Sequence, residues 1–174
     1  MILYFLRHGD AVRGTTGHDS ERPLSDLGLK QAAGVGRFLN DSNAGIQQIL
    51  CSPFLRARQT AESIQQEIGS VPVSPTDDLI PSGSPRHILR ELKKLNAPAV
   101  LLVGHEPHLS ETISVLLSKE GKSRVEMKPC SLACLTTEDP VKGGQAILHW
   151  LLPSDQTIKW KPDGDADIGP RRHS

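Results

Sequence analysis

Two short apolar runs, residues 1–6 and 99–103, and the segment 46–51, which ends in Ile-Leu-Cys, each stop abruptly at a polar segment that carries an arginine or a histidine. A continuous apolar run of this length, without polar alternation, reads as a strand covered on both faces, as in a parallel sheet. Apolar residues at helical spacing separate and follow these runs. Gly28, Ala32, Val35 and Leu39 form one stripe, and Phe54, Ala57, Ala61, Ile64 and Ile68 a second. Ile88, Leu89, Leu92 and Leu95 form a third; Leu109, Ile113 and Leu116 a fourth. Ser25 or Asp26 is placed to cap the first helix. Ser52, followed by Pro53, is placed to cap the second. Strand and helix in alternation predict a mostly parallel sheet with helices on both faces, an α/β fold.

The remaining elements are weaker. Residues 71–73 read as a short strand and 74–85, rich in proline, as loop. Residues 131–136 and 146–152 read as two late strands, one of them an antiparallel edge. Gly34 and Gly36 lack the third glycine of a dinucleotide loop, and close packing of their helix on the sheet is the expected reason for them. From residue 161 the chain is polar, and its composition predicts a disordered tail over 161–174 after a single domain over 1–160.

Composition narrows the classes of function. The chain has 174 residues, which suits one α/β domain. Hydrophobic residues make up 37%, with two Trp, one Tyr and three Phe, so aliphatic side chains must fill most of the core. Twenty basic residues balance twenty acidic ones. That argues against a broad footprint for nucleic acid or an anionic membrane surface. The first apolar run is too short for a signal peptide or a membrane span, and a cytoplasmic location is expected. Three cysteines, Cys51, Cys130 and Cys134, suit reduced buried thiols, and the ligand pairs typical of zinc are missing. No metal is expected on these spacings.

In such sheets ligands bind beyond the carboxyl ends of the strands. Arg7-His8 follows the first strand, Ser52 to Arg56 the second, and Gly104-His105 the third. Two arginines in one crevice repel unless an anion lies between them, and the guanidinium fork matches phosphate oxygens. Arg56 near a helix start would add the positive end of the helix dipole. The nucleophiles in reach are His8, His105 and Ser52. Cys51 precedes Arg56 with four residues between, one short of a Cys-x5-Arg phosphate loop. A neutral imidazole, with an ordinary pKa of about 6.5, is a good nucleophile near neutral pH. It must keep one nitrogen unprotonated, so the other should donate to a backbone carbonyl or similar acceptor.

Plainer readings stand beside these. His8 alone could be a structural hydrogen-bonder. Arg7 could pair with Asp10 or Asp78, and Arg56 with Glu62 or Glu67. Arg13 and Arg58 suit solvent, and His18, His87, His149 and His173 suit surface or packing. His105, Glu106 and His108 do not have the His-Glu-x-x-His spacing of a metal helix.

Leu6-Arg7-His8-Gly9-Asp10-Ala11 resembles the Arg-His-Gly signature of the histidine phosphatase superfamily. Arg22-Pro23-Leu24-Ser25-x-x-Gly28 resembles the segment that leads into that family's first helix. The stretch from Ser52 to Ala61 is similar to its second arginine motif, and Gly104-His105-Glu106-Pro107 to its second histidine motif. These lie in the family's order over residues 1 to 120. The short chain and the Asp78-Leu79-Ile80-Pro81-x-Gly83 loop look most like the SixA-type phosphohistidine phosphatases. The resemblance implies a three-layer α/β/α sandwich of the phosphoglycerate mutase-like kind. It implies His8 as nucleophile, a phosphoryl group held by Arg7, Arg56 and His105, and no required metal or organic cofactor. The chain departs from many members in lacking a glutamate proton donor after the second helix; Asp10, Asp77, Asp78 and Glu106 are the carboxylates that could substitute. The implied partner is a phosphohistidine-bearing protein such as a histidine phosphotransfer domain. Small phosphomonoesters are the alternative substrates, and a phosphate-binding module without catalysis is the alternative from another class.

Overall fold

The computed structural model describes residues 1–14, 17–138 and 141–159, so the tail expected over 161–174 lies outside the described residues. The elements run β1 (Ile2–Arg7), α1 (Asp26–Asp41), β2 (Gln48–Cys51), α2 (Leu55–Ile68), β3 (Val73–Pro75) and α3 (Pro85–Leu92). They continue with β4 (Ala99–Gly104), α4 (His108–Leu117), β5 (Leu132–Thr136), β6 (Ile147–Leu152) and α5 (Ser154–Ile158). One six-stranded sheet holds them in the order β3-β2-β4-β1-β5-β6. The pairs β1–β4, β2–β4 and β2–β3 are parallel, whereas β5 is antiparallel to both β1 and β6.

Alternate residues of the central strands feed two cores. Tyr4 and Leu6 of β1, with Leu101 and Val103 of β4, face Val35, Phe38 and Leu39 of α1 and Ala57, Ala61 and Ile64 of α2. Leu3 and Phe5, with Val100 and Leu102, face Ile88, Leu89 and Leu92 of α3 and Leu109, Ile113 and Leu116 of α4. The result is the expected three-layer sandwich. Side chains buried on both faces are why β1 and β4 read as unbroken apolar runs. Among the described residues, no helix is long and apolar enough to cross a membrane.

Several boundaries differ from those read in the sequence. α2 starts at Leu55 rather than at Pro53, because Phe54 occupies the N-cap position and makes no side-chain cap. The strand expected over 71–73 lies at Val73–Pro75, where it pairs with β2. Both late strands are antiparallel to their neighbours, and β6 is the edge. Gly34 and Gly36 do not serve helix-on-sheet packing. A Cβ on Gly34 would lie 2.8 Å from Ile158 of α5, and one on Gly36 would lie 2.8 Å from Glu67 of α2. Both glycines let other helices approach α1.

The loop from β1 into α1 is closed by backbone packed on backbone. Ser25 caps α1, its side chain accepting from Gly28 N. Ser25 N donates to Asp10 O at 3.0 Å. A Cβ on Gly28 would lie 2.0 Å from that same carbonyl oxygen, so no larger residue fits without moving the loop. Gly28→Ala is therefore expected to destabilise the fold by about 1–3 kcal/mol, the usual cost of overpacking. A urea or thermal melt would read this as a loss of several degrees. An unchanged midpoint would show that the loop gives way freely.

Candidate active site

β1 and β4 end level, with Arg7 paired to Gly104. His8 N donates to Gly104 O at 3.0 Å, and Ser52 N to Val103 O at 2.9 Å. The residues that follow the three strands are thus brought to one edge of the sheet. The segment leading into β5 holds the other side. Arg7 N donates to Ser131 O at 3.2 Å and Cys130 N to His8 O at 3.1 Å. Arg7 Nη1 donates to Met127 O at 2.8 Å, so Arg7 pairs with neither Asp10 nor Asp78.

The His8 and His105 rings lie 4.9 Å apart between centroids. His8 Nδ1 lies 2.7 Å from Gly9 O. A carbonyl can only accept, so Nδ1 carries the proton. Nε2 is left with its lone pair, and Arg56 Nε donates to it at 3.2 Å. The two contacts agree on one tautomer. Gly9 is tied in turn to α2, through Gly9 N on Thr60 Oγ1 at 3.2 Å and Thr60 Oγ1 on Arg56 O at 2.7 Å.

His105 Nε2 meets Ser52 Oγ at 2.8 Å. Ser52 Oγ also accepts from Phe54 N at 3.3 Å. Nδ1 of His105 is buried and has no partner among the described residues. Ser52 thus orients the second histidine instead of capping α2. Phe54 packs edge-on against the His105 ring at 5.0 Å and lies under the Arg56 guanidinium at 5.1 Å. Arg7 Nε is likewise buried without a partner among the described residues. Two unmet nitrogens on Arg7 and His105 beside the His8 lone pair make a place that suits an oxyanion.

Arg56 is only 3% exposed, and its partner was not legible in the sequence. Nη1 donates to Asp19 O at 2.6 Å and Nη2 to Asp19 Oδ2 at 2.9 Å. Asp19 Oδ1 takes Arg22 Nε at 2.7 Å. The expected partners are engaged elsewhere, Glu62 with Arg58 and Glu67 with Arg37, both exposed pairs. Asp19 lies in a short helical turn in the β1–α1 loop, 37 residues from Arg56, and no local pattern signals it. The four carboxylates considered as proton donors bond elsewhere or not at all to the cage. Asp10 accepts from Ser25 Oγ, Glu106 from Ser110, Asp78 lies 3.6 Å from His87, and Asp77 opens a short turn after β3.

Burial sets the charge states. It pushes the His8 pKa down to about 4, with Arg56, Arg7 and Arg22 adding to the effect against the Gly9 bond. Burial pushes His105 down to about 2, helped by His8 and Arg56. Both rings are neutral at pH 7. All three cysteines are free and buried. Burial raises Cys51 to about 11, which removes it as a thiolate nucleophile.

Comparisons with known proteins point to one family. Residues 3–81 match the model of the histidine phosphatase superfamily (branch 1). An uncharacterised protein of Picosynechococcus sp. is 39% identical over 137 residues, 76% of this chain and 82% of that one. The phosphohistidine phosphatase SixA of Escherichia coli is 27% identical over 156 residues, 86% of this chain and 92% of its own. A solved structure of the protein histidine phosphatase SixA with tungstate superposes with a TM-score of 0.79 at 26% identity, covering 89% of this chain and 98% of that one.

The neutral histidines make stability depend on pH. Between the ordinary value of about 6.5 and the folded values, the unfolded chain binds protons that the folded chain does not. Stability is therefore full above pH 6.5 and falls as the pH drops, through about 4 for His8 and on towards 2 for His105. The slope approaches about 1.4 kcal/mol per pH unit for each group. Urea midpoints measured from pH 7 to 4 should fall, and His8→Asn should flatten the curve. An equally steep curve in that variant would refute the assignment.

Proposed function

The chain belongs to the histidine phosphatase superfamily and is a phosphatase, and we propose that His8 is its nucleophile and phosphohistidine on a protein its substrate. The observation that carries the reading is the His8 tautomer. Nδ1–H is spent on Gly9 O, and the Nε2 lone pair is held beside Arg56. In the proposed reaction Nε2 attacks phosphorus and forms a P–N bond. The bond to the leaving group breaks, and its electron pair departs with that group. Water then attacks the phosphoenzyme, returning His8 and releasing inorganic phosphate. Arg7, Arg56 and His105 hold the phosphoryl oxygens as charge builds on them, so catalysis is mostly positioning and electrostatics.

The choice of leaving group rests on what surrounds the cage. An alkoxide needs a proton as it leaves, and a positioned acid is typically worth about 10²–10⁴-fold. Asp10, Glu106 and Asp78 are engaged with other groups. Asp19 does adjoin the cage, but hydrogen bonds from Arg56 and Arg22 hold its carboxyl below the usual range, against a partial desolvation. It makes a poor acid. An imidazole leaving group protonates near neutral pH by itself, and so suits this site. The similarity to SixA supports the same substrate class. A histidine phosphotransfer domain is the kind of protein that carries it.

Mass spectrometry after a rapid, acid-free quench should find one phosphoryl group on His8. His8→Ala should lose activity by about 10³-fold or more. Arg56→Ala should lose about 10²–10³-fold with the fold retained, as for loss of one preorganised donor. Full turnover by His8→Ala, or turnover on phosphomonoesters equal to that on phosphohistidine, would overturn the reading.

A further inference from the structure

Both carboxylate oxygens of Asp19 are used, one by Arg56 and one by Arg22. The guanidinium of Arg56 spans the cage. Its Nε touches the buried His8, and its two terminal nitrogens reach Asp19, whose side chain is 58% exposed. Asp19 therefore stands on the solvent side of the cation, away from the nucleophile. Attack in line from His8 Nε2 sends the leaving group away from the nucleophile. His105 also feels the Asp19 charge, which opposes the lowering of its pKa. A fixed negative charge is thus placed on the solvent side of a site otherwise built from two arginines and two neutral histidines.

We propose that Asp19 determines specificity, selecting phosphoryl groups carried on a leaving group that can be cationic, such as a protonated imidazole, over those that leave as an anion. The proposal rests on the phosphatase reading above. In a phosphoimidazole the nitrogen remote from phosphorus can hold a proton. Its N–H can donate to a carboxylate at the mouth, and the imidazolium charge is attracted to it. As the P–N bond breaks, its electron pair goes to the ring, and the group departs as neutral imidazole with no further proton needed. In a phosphomonoester the pair goes to oxygen, and the negative charge growing there faces Asp19. The same carboxylate favours one transition state and opposes the other, which is specificity by repulsion as well as attraction. Arg22 holds Asp19 in place when a phosphoryl oxygen takes over its position on Arg56.

Two small substrates separate this role from protein docking: phosphoimidazole and p-nitrophenyl phosphate, with kcat/KM measured for the full chain. Asp19→Asn keeps the shape and removes the charge. It is expected to lower the ratio of phosphoimidazole to p-nitrophenyl phosphate turnover by about 10- to 100-fold, chiefly through a gain on the ester. Asp19→Glu, which keeps the charge, is expected to hold the ratio within about threefold of the wild type. Equal losses on both substrates would reduce Asp19 to a support for Arg56 and overturn the proposal. A loss confined to the ester would make Asp19 a proton donor and overturn it too. With phosphate trapped on His8 in the wild type, either result sinks only the role of Asp19. Absence of turnover and of phospho-His8 in the wild type sinks both readings.

Discussion

Arg7 and Gly104 lie side by side on β1 and β4, and the bond from His8 N to Gly104 O extends that pairing one residue past the strand. Cys51 of β2 is level with Val103 on the other side of β4. Three strands that end together deliver His8, His105 and Ser52 to one place. A shift of register by one residue would turn each side chain to the opposite face. The two cores prevent it, because Leu3 and Phe5 fit one and Tyr4 and Leu6 the other.

Electrostatics then divides the labour. Arginine stays charged at any working pH, so the burden of burial falls on the histidines, which lose their protons. That is also what a nucleophile requires. The cations that depress the His8 pKa are those an oxyanion would meet, so one arrangement prepares both the attacking group and its target. The cost is a nearly buried guanidinium. It is met by stacking on Phe54, by the His8 lone pair, and by the carbonyl and carboxylate of Asp19. Such a charge left without partners would be strongly destabilising.

The site was legible where a functional residue directly follows a buried strand. Arg7, His8 and His105 stood out because polar residues rarely interrupt apolar runs without a reason. Arg56 could be placed in a helix, but its partners could not. Glu62 and Glu67 were considered only as acids on the same helix; they pair with Arg58 and Arg37, whereas Arg56 turns inward under the β1–α1 loop. Asp19 is one acid among twenty, in a polar loop with no periodicity. The Met127 carbonyl that holds Arg7 carries no side-chain signal at all. Gly34 and Gly36 announced close packing but not its partner, because a glycine shows that something approaches and not what.

The amino-acid order alone determined the layered α/β fold, the strands that end in Arg7-His8 and Gly104-His105, and the presence of an anion-seeking pair of arginines. These follow from local pattern: apolar runs, helical spacing and residue chemistry. Only the tertiary structure decided which nitrogen of His8 is free, that Ser52 serves His105, and that Asp19 closes on Arg56. The Gly9 carbonyl that fixes His8 Nδ1 is local, but the Arg56, Ser52 and Asp19 contacts span tens of residues, made when separate strand ends and loops pack together, and short-range pattern carries no trace of them.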